Sequence, residues 1–302
     1  SNPYIAREED NKIFGRGTCD MKGFIACTLA AVPLFASKKL KQSIHFSYTF
    51  DEETGCLGAP LVLEDLKKRN LKFSACIIGE PTNMKVITAN KGYNEYVTHF
   101  TGVSGHASNP EIGVSAIEYA IEYSNKLLEL KNQLKDKKIK KKIFSPPYST
   151  LQIGKISGGI GANVIADKCS LSWEVRPISK EDENFVTKSI DKFTSDTLLP
   201  KLKRDNPKGD IKKEIIGEVV GFNKEERSEA IDLVCNLTGD NSLDTMSFGT
   251  EAGIYQNFGI STVICGPGSI EQAHTVDEYI SYDQLKKCLK MLVNLQKKIE
   301  SI

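Results

Sequence analysis

Ser43-Ile-His-Phe-Ser-Tyr-Thr-Phe50 places apolar side chains at 44, 46, 48 and 50 and runs straight into Asp51-Glu52-Glu53. That two-residue period predicts a half-buried strand, and the acidic run marks its carboxyl end. A shorter apolar run at 75–78 leads in the same way into Gly79-Glu80-Pro81. Helical patterns over about 21–35 and 59–68 lie before and between these runs, so the opening third alternates helix and strand. Such alternation predicts an α/β fold with a mostly parallel sheet flanked by helices. Ligands in sheets of that kind collect beyond the carboxyl ends of the strands, which is where the acidic clusters fall.

From Tyr93 the pattern changes. A strand at 93–101 is followed by a helix with Val114, Ile117, Ile121 and Leu128 on one face, strands at 149–157 and 168–176, a helix at 182–197 and a strand at 211–220. This βαββαβ order predicts a ferredoxin-like α+β unit. After Asn223 a helix, a glycine-rich segment, a strand at 261–265 and a final helix from Asp283 restore the first pattern. The expected organisation is a catalytic domain made of 1–90 plus 218–302, with 91–217 inserted.

The 302 residues carry 40 Lys plus Arg against 39 Asp plus Glu, a net charge of +1 and 40% hydrophobic residues. A near-neutral balance supplies no global field for a phosphate backbone, so no nucleic-acid partner is expected. The apolar run at 23–36 falls short of the ~20 residues that cross a bilayer and contains Pro33, so no membrane partner is expected either. Eight cysteines are scattered without a CxxC pair, and Cys76 and Cys265 sit in apolar stretches. Reduced, packed thiols in a cytoplasmic protein follow. The lysine run of 135–143 reads as a solvated helix end or loop. The start, Ser1-Asn-Pro-Tyr-Ile-Ala, has neither an initiator Met nor a signal architecture, and reads as the middle of a protein.

Asp20, Glu52, Glu53, Glu80 and His274 all fall at element ends beside turn residues. Carboxylates with a neutral imidazole suit a borderline divalent ion such as zinc, and gathering several acids in one cleft without a cation would drive their pKa values up. Each also has a plainer reading: Asp20 as a helix N-cap, 51–53 as a polar loop edge, Glu80 as a turn residue before Pro81, His274 as a surface histidine. Arg176, at a strand end before Pro177, fits bidentate capture of a carboxylate or a surface salt bridge, and Asn163 could add a donor. Glu251 could receive a cationic group or cap the following helix. His45 and His99 are assigned to structure.

Five ordered motifs, Gly15-Arg-Gly-Thr-Cys-Asp-Met-Lys-Gly23, Asp51-Glu-Glu-Thr-Gly-Cys-Leu-Gly-Ala59, Ile78-Gly-Glu-Pro-Thr82, Gly102-Val-Ser-Gly-His-Ala-Ser-Asn-Pro110 and Gly158-Gly-Ile-Gly-Ala-Asn163, resemble the di-zinc aminoacylase and acetylornithine deacetylase family of metallopeptidases, which includes succinyl-diaminopimelate desuccinylase. Trp173-Glu-Val-Arg-Pro177, Phe248-Gly-Thr-Glu-Ala-Gly253 and Gly266-Pro-Gly-Ser-Ile-Glu-Gln-Ala-His-Thr-Val-Asp-Glu-Tyr279 are most similar to its acetylornithine deacetylase branch. The resemblance implies a zinc-peptidase-like catalytic domain with an inserted lid and dimerisation domain. It also implies two zinc ions per subunit in the complete protein, with cobalt as an alternative. Asp20 would bridge the ions, Glu53 and His274 would complete one site, Glu80 would serve the other, and Glu52 would be the general base. His106 would reach across a homodimer to donate to the oxyanion, and Asn163, Arg176 and Glu251 would bind substrate. The implied reaction is hydrolysis of an N-acyl amino acid, N-acetylornithine to ornithine and acetate in arginine synthesis. Desuccinylase, dipeptidase and aminoacylase activities are the alternatives within the family, and an inactive fragment the alternative outside it.

Family members carry an upstream His-x-Asp strand end, and no His precedes His45 here. The resemblance therefore implies that the opening of the catalytic sheet lies before Ser1, and that these residues complete one metal site at most.

Overall fold

The computed structural model describes residues 2–137 and 143–300. The chain forms two compact units, Ser1–Ala89 with Phe222–Met246 and Thr250–Ile302, and Asn90–Gly221 with Ser247–Gly249.

In the first unit a four-stranded sheet runs in the order Leu243–Met246, Val86–Asn90, Thr262–Ile264, Cys76–Ile78. Thr262–Ile264 lies parallel to Cys76–Ile78 but antiparallel to Val86–Asn90, so the sheet is mixed where a mostly parallel one was expected. Apolar patterns mark candidate strands, not which way each one returns. Helix Gly23–Ala36 carries no charged residue and packs Cys27, Ala31 and Phe35 into a core shared with Cys288, Met291 and Leu292 of helix Tyr282–Ile299. Thr18–Ala36 is long and apolar enough to cross a bilayer by composition. Its first turn is not regular helix, with Asp20 and Met21 at non-helical angles. The 14 residues of regular helix span about 21 Å, below the ~30 Å of a hydrocarbon core.

The expected strand at 43–50 does not form a ladder among the described residues. Ile44 and Phe46 do pack on the core, and the Tyr48 hydroxyl shares a 3.0 Å hydrogen bond with Thr28 on the adjacent helix. Side-chain alternation decides which residues face inward, but a strand also needs a neighbouring backbone edge to pair with.

The second unit is an antiparallel sheet in the order Asp210–Val219, Tyr93–Thr101, Lys168–Arg176, Thr150–Gly158. Numbered along the chain this is 4-1-3-2, the ferredoxin-like order. Helices Ala116–Asp136 and Lys180–Phe193 contribute to its core. On the first of these the buried row is Ala116, Tyr119, Ala120, Tyr123, Leu127, Leu130 and Leu134, while Ile121 and Leu128, expected on the inner face, are exposed. Two tyrosines displaced them, because each ring carries enough apolar area to bury while its hydroxyl finds a partner. Tyr119 donates to Asp205 at 2.6 Å, and the Tyr123 hydroxyl accepts from Thr98 at 3.2 Å.

Four helices start at serine N-caps. Ser115, Ser179, Ser228 and Ser281 accept from the amides of Glu118, Asp182, Ile231 and Gln284, three residues on, at 3.3–3.4 Å, the geometry of N-caps. Of the lysine run of 135–143, expected as a solvated helix end or loop, the first residues end helix Ala116–Asp136, and 138–142 lie outside the described residues.

Trp173 is the keystone of the second core. Its ring lies 4.5 Å from Tyr96 and 6.4 Å from Tyr123, and its Nε1 donates to Thr98 Oγ1 at 3.1 Å. Trp173→Ala is expected to destabilise this unit by about 3–5 kcal/mol. Denaturant unfolding measures it, and a loss under about 1 kcal/mol would remove Trp173 from that role.

Candidate metal centre

A small antiparallel ribbon explains how residues 254 positions apart meet. Strand Lys12–Phe14 pairs with Tyr279–Ser281, Phe14 opposite Tyr279 and Ile13 opposite Ile280. Asp20 follows the first strand within a few residues and His274 precedes the second by a few, so the pairing delivers both to one end of the ribbon. Glu53 arrives from the turn after 43–50. There the Glu52 carbonyl accepts from Gly55 and Cys56 amides at 3.1 and 2.9 Å, and Asp51 adopts a positive φ of 52°.

His274 Nε2 lies 3.1 Å from Asp20 Oδ2 and 3.1 Å from Glu53 Oε1. The three donor atoms fall within 4.8 Å of one another. Two carboxylate oxygens and an imidazole nitrogen at that spacing fit a tetrahedral zinc-type ion, with room for one more ligand. Glu80 sits at the carboxyl end of strand Cys76–Ile78 and is 5% exposed. Its backbone is crossed by the loop that carries His274: a Cβ on Gly266 would lie 2.1 Å from the Gly79 carbonyl oxygen and 2.5 Å from that of Glu80. Only glycine permits that approach.

Charge records the crowding. Burial, then Glu53, Asp20 and Glu251, push the Glu52 carboxyl up to about 7, against a weak thiol hydrogen bond from Cys56 at 3.7 Å. Glu80 is pushed well above its ordinary value by burial and then by Asp20, Glu52, Glu251 and Glu53. Burial and Glu53 raise Asp20, with His274 opposing. Burial raises Glu251, opposed by a hydrogen bond from Thr49. His274 is raised in spite of its burial because Glu53 and Asp20 favour its charged form. A site in which acids hold protons at neutral pH is one that a divalent cation suits.

Two plainer readings fall away. Asp20 does not cap helix Gly23–Ala36, whose N-cap is Lys22. Glu251 stands at the N-cap of helix Ala252–Asn257 but makes no capping bond, and its Oε1 is buried without a hydrogen-bond partner.

His106, Asn163 and Arg176 belong to the second unit. The pairing of Gly105–His106 with Val164–Ile165 joins the first two, and the Asn163 carbonyl accepts from Ala107 at 3.0 Å. His106 Nδ1 lies 2.7 Å from Ser108 Oγ and 3.2 Å from the Ser108 amide nitrogen, so its Nδ1 edge is engaged locally and its Nε2 edge is not. Arg176 takes the ion-pair reading, with Nε and Nη2 forked onto Glu174 at 3.0 and 3.2 Å and its guanidinium 4.9 Å from the Tyr93 ring centre.

Sequence reasoning assigned no role to Glu278. It is 2% exposed and accepts hydrogen bonds from the amides of Gly17, Cys19 and Asp20. Its place four residues after His274 in a motif already quoted was the available signal; its burial was not legible.

The chain is 35% identical over 291 residues to acetylornithine deacetylase of Pectobacterium atrosepticum, covering 96% of this chain and 73% of that protein. It is 34% identical over 298 residues to acetylornithine deacetylase of Aliivibrio salmonicida, covering 98% and 76%. Among solved structures, aminopeptidase PepT from Bacillus cereus superposes with a TM-score of 0.72 at 22% identity over 97% of this chain and 76% of its own. The M20 family metallo-carboxypeptidase Sso-CP2 from Sulfolobus solfataricus does so with 0.73 at 17%, over 98% and 79%. The structural likenesses establish the α/β fold, and the sequence relatives establish a hydrolase of a kind that depends on metal. With its model matched from residue 1 to residue 298, this chain belongs to peptidase family M20/M25/M40.

Proposed function

We propose that this protein is a zinc-dependent deacylase of N-acyl amino acids, with N-acetylornithine, cleaved to ornithine and acetate in arginine synthesis, as its substrate. One observation carries the reading: Asp20, Glu53 and His274 converge within 4.8 Å beside a Glu52 whose carboxyl is poised at about 7.

Asp20, Glu53 and His274 would hold one ion, and Asp20 with Glu80 would contribute to a second. Zinc supplies, when bound, positive charge for a polarised amide carbonyl and a lowered pKa for water. Glu52 takes the proton of the attacking water on a carboxylate oxygen and delivers it to the departing amine nitrogen, which needs a base whose pKa lies near the working pH. Glu52 and Glu53 divide the work because adjacent side chains diverge: Glu53 meets His274, while Glu52 lies against the Cys56 thiol. His106, reaching across the homodimer, would donate from Nε2 to the carbonyl oxygen as it gains charge. Glu251, with a buried unpartnered oxygen, matches the side-chain ammonium of acetylornithine. Asn163 would meet the substrate carboxylate, which at Arg176 would compete with Glu174. The same proposal includes a cytoplasmic homodimer joined through the inserted unit. Ile121 and Leu128 are exposed on one helix there, and strand Thr150–Gly158 ends the sheet.

Three outcomes test this. Glu52→Gln is expected to keep zinc binding yet lower kcat about 100- to 10,000-fold, and turnover within about tenfold of the parent would remove Glu52 as the base. N-acetylornithine is expected to give a higher kcat/KM than succinyl-diaminopimelate. Glu251→Gln should cost that substrate about tenfold or more while moving N-acetyl-leucine, which has no ammonium, under about threefold. Preference for the succinyl compound overturns the substrate assignment.

A fourth outcome concerns pH. A carboxyl at about 7 when folded, against an ordinary 4.5, binds its proton more tightly in the folded chain than in the unfolded one. Its contribution to metal-free stability is therefore greatest below 4.5 and falls as pH rises through about 7. His274, raised above 6.5, works in the same direction. Thermal unfolding between about pH 5 and 8 should show a falling Tm that added zinc reverses most strongly at the upper end. Glu52→Gln should flatten the slope; an unchanged slope would place Glu52 outside the cluster.

A further inference from the structure

Between Gly15 and Gly23 the chain has to hold Asp20 in place without regular secondary structure of its own. Asp20 sits at φ −118° and ψ 92°, and Met21 at −135° and 37°. The backbone bonds within this stretch are few, Thr18 to Gly15 at 3.2 Å and Lys22 to Gly17 at 2.7 Å among them. The amides of Gly17, Cys19 and Asp20 are satisfied instead by a side chain from the far end of the sequence. Glu278 Oε1 accepts from Cys19 N at 2.9 Å and Asp20 N at 3.1 Å. Glu278 Oε2 accepts from Gly17 N and from Arg16 Nη1, both at 3.0 Å.

We propose that Glu278 is a positioning residue for the metal centre: by gripping the amide of Asp20 and those of Gly17 and Cys19 before it, it sets where that ligand stands, and so the affinity of the site for a divalent cation. This rests on the metal-binding reading above. Glu278 is not among the three residues whose donor atoms converge. It lies four residues beyond His274, and Arg16, ion-paired to it, also donates to the Thr275 carbonyl at 3.1 Å. One carboxylate therefore ties together the two segments that supply Asp20 and His274. Charge-assisted bonds to a side chain that is 2% exposed are strong and geometrically exacting. No neutral side chain of the same shape can serve four donors: the amide of a glutamine would turn an N–H toward one of the two edges.

A purely structural role would lower the stability of the metal-free chain and leave its metal affinity alone, so affinity is the deciding readout. Zinc binding to the 302-residue chain, measured by chelator-competition calorimetry alongside circular dichroism and metal-free Tm, is compared for the parent, Glu278→Gln, Glu278→Asp, Arg16→Met and His274→Ala. Glu278→Gln is expected to keep its fold and lose about ten- to a hundredfold in affinity, the scale on which residues that orient ligands act. Arg16→Met, which removes one donor of the four, should lose severalfold. A folded Glu278→Gln that binds zinc within twofold of the parent overturns the proposal whatever its Tm. Should that variant not fold, Glu278→Asp, whose carboxylate is withdrawn by one methylene, decides by the same criterion. If His274→Ala binds zinc as the parent does, the metal reading itself fails, and this inference with it.

Discussion

Mutual repulsion among acids that the fold forces together is the constraint on which the site depends. Asp20, Glu52, Glu53, Glu80 and Glu251 come from four separate stretches or turns of the first unit, and burial adds to the work of ionising most of them. His274 offsets part of that cost through its contacts with Asp20 and Glu53. No single residue of the group would be remarkable alone, since each is an ordinary turn acid or surface histidine. Their shared electrostatic environment is what gives the cluster its appetite for positive charge.

The scaffold around the cluster is correspondingly over-determined. A three-stranded ribbon pairs the segments that lead to Asp20 and His274, and Gly266 lets their loop cross the backbone of Glu80 at a distance no side chain would allow. Cys19 and Cys56 are buried against the same loops, with thiols donating to Ser269 and Glu52. Burial pushes the Cys19 thiol up to about 12, which keeps it an inert packing group beside the metal ligands. All eight cysteines are free. A pre-formed site of this kind spends its strain in the folding of the loops, so the ligands need little rearrangement when a cation arrives.

Much was legible beforehand because the informative residues are punctuated by turns. The acidic group after the apolar run of 75–78 marked a strand end, with Glu80 just past Cys76–Ile78. The failures have physical causes as well. At 43–50 the alternation correctly identified Ile44 and Phe46 as inward-facing, but pairing needs a partner edge that no local pattern encodes. On helix Ala116–Asp136 the aliphatic row lost to tyrosines, because hydropathy undervalues a ring whose hydroxyl has somewhere to go. Arg176 was left between capture of a substrate carboxylate and a salt bridge, and it pairs with Glu174 two residues back.

Residue type and order alone determined the class of fold, the ferredoxin-like succession of elements, the family, and which acids and which histidine were candidates for chemistry. Those properties follow from periodicity and from motifs that survive in one dimension. Tertiary structure decided which candidates share a site, which strand runs against its neighbour, and that Glu278 grips the amides beside Asp20. These are through-space facts: a Coulomb interaction or a buried hydrogen bond depends on distances of a few ångströms between residues hundreds of positions apart, and only the folded chain sets those distances.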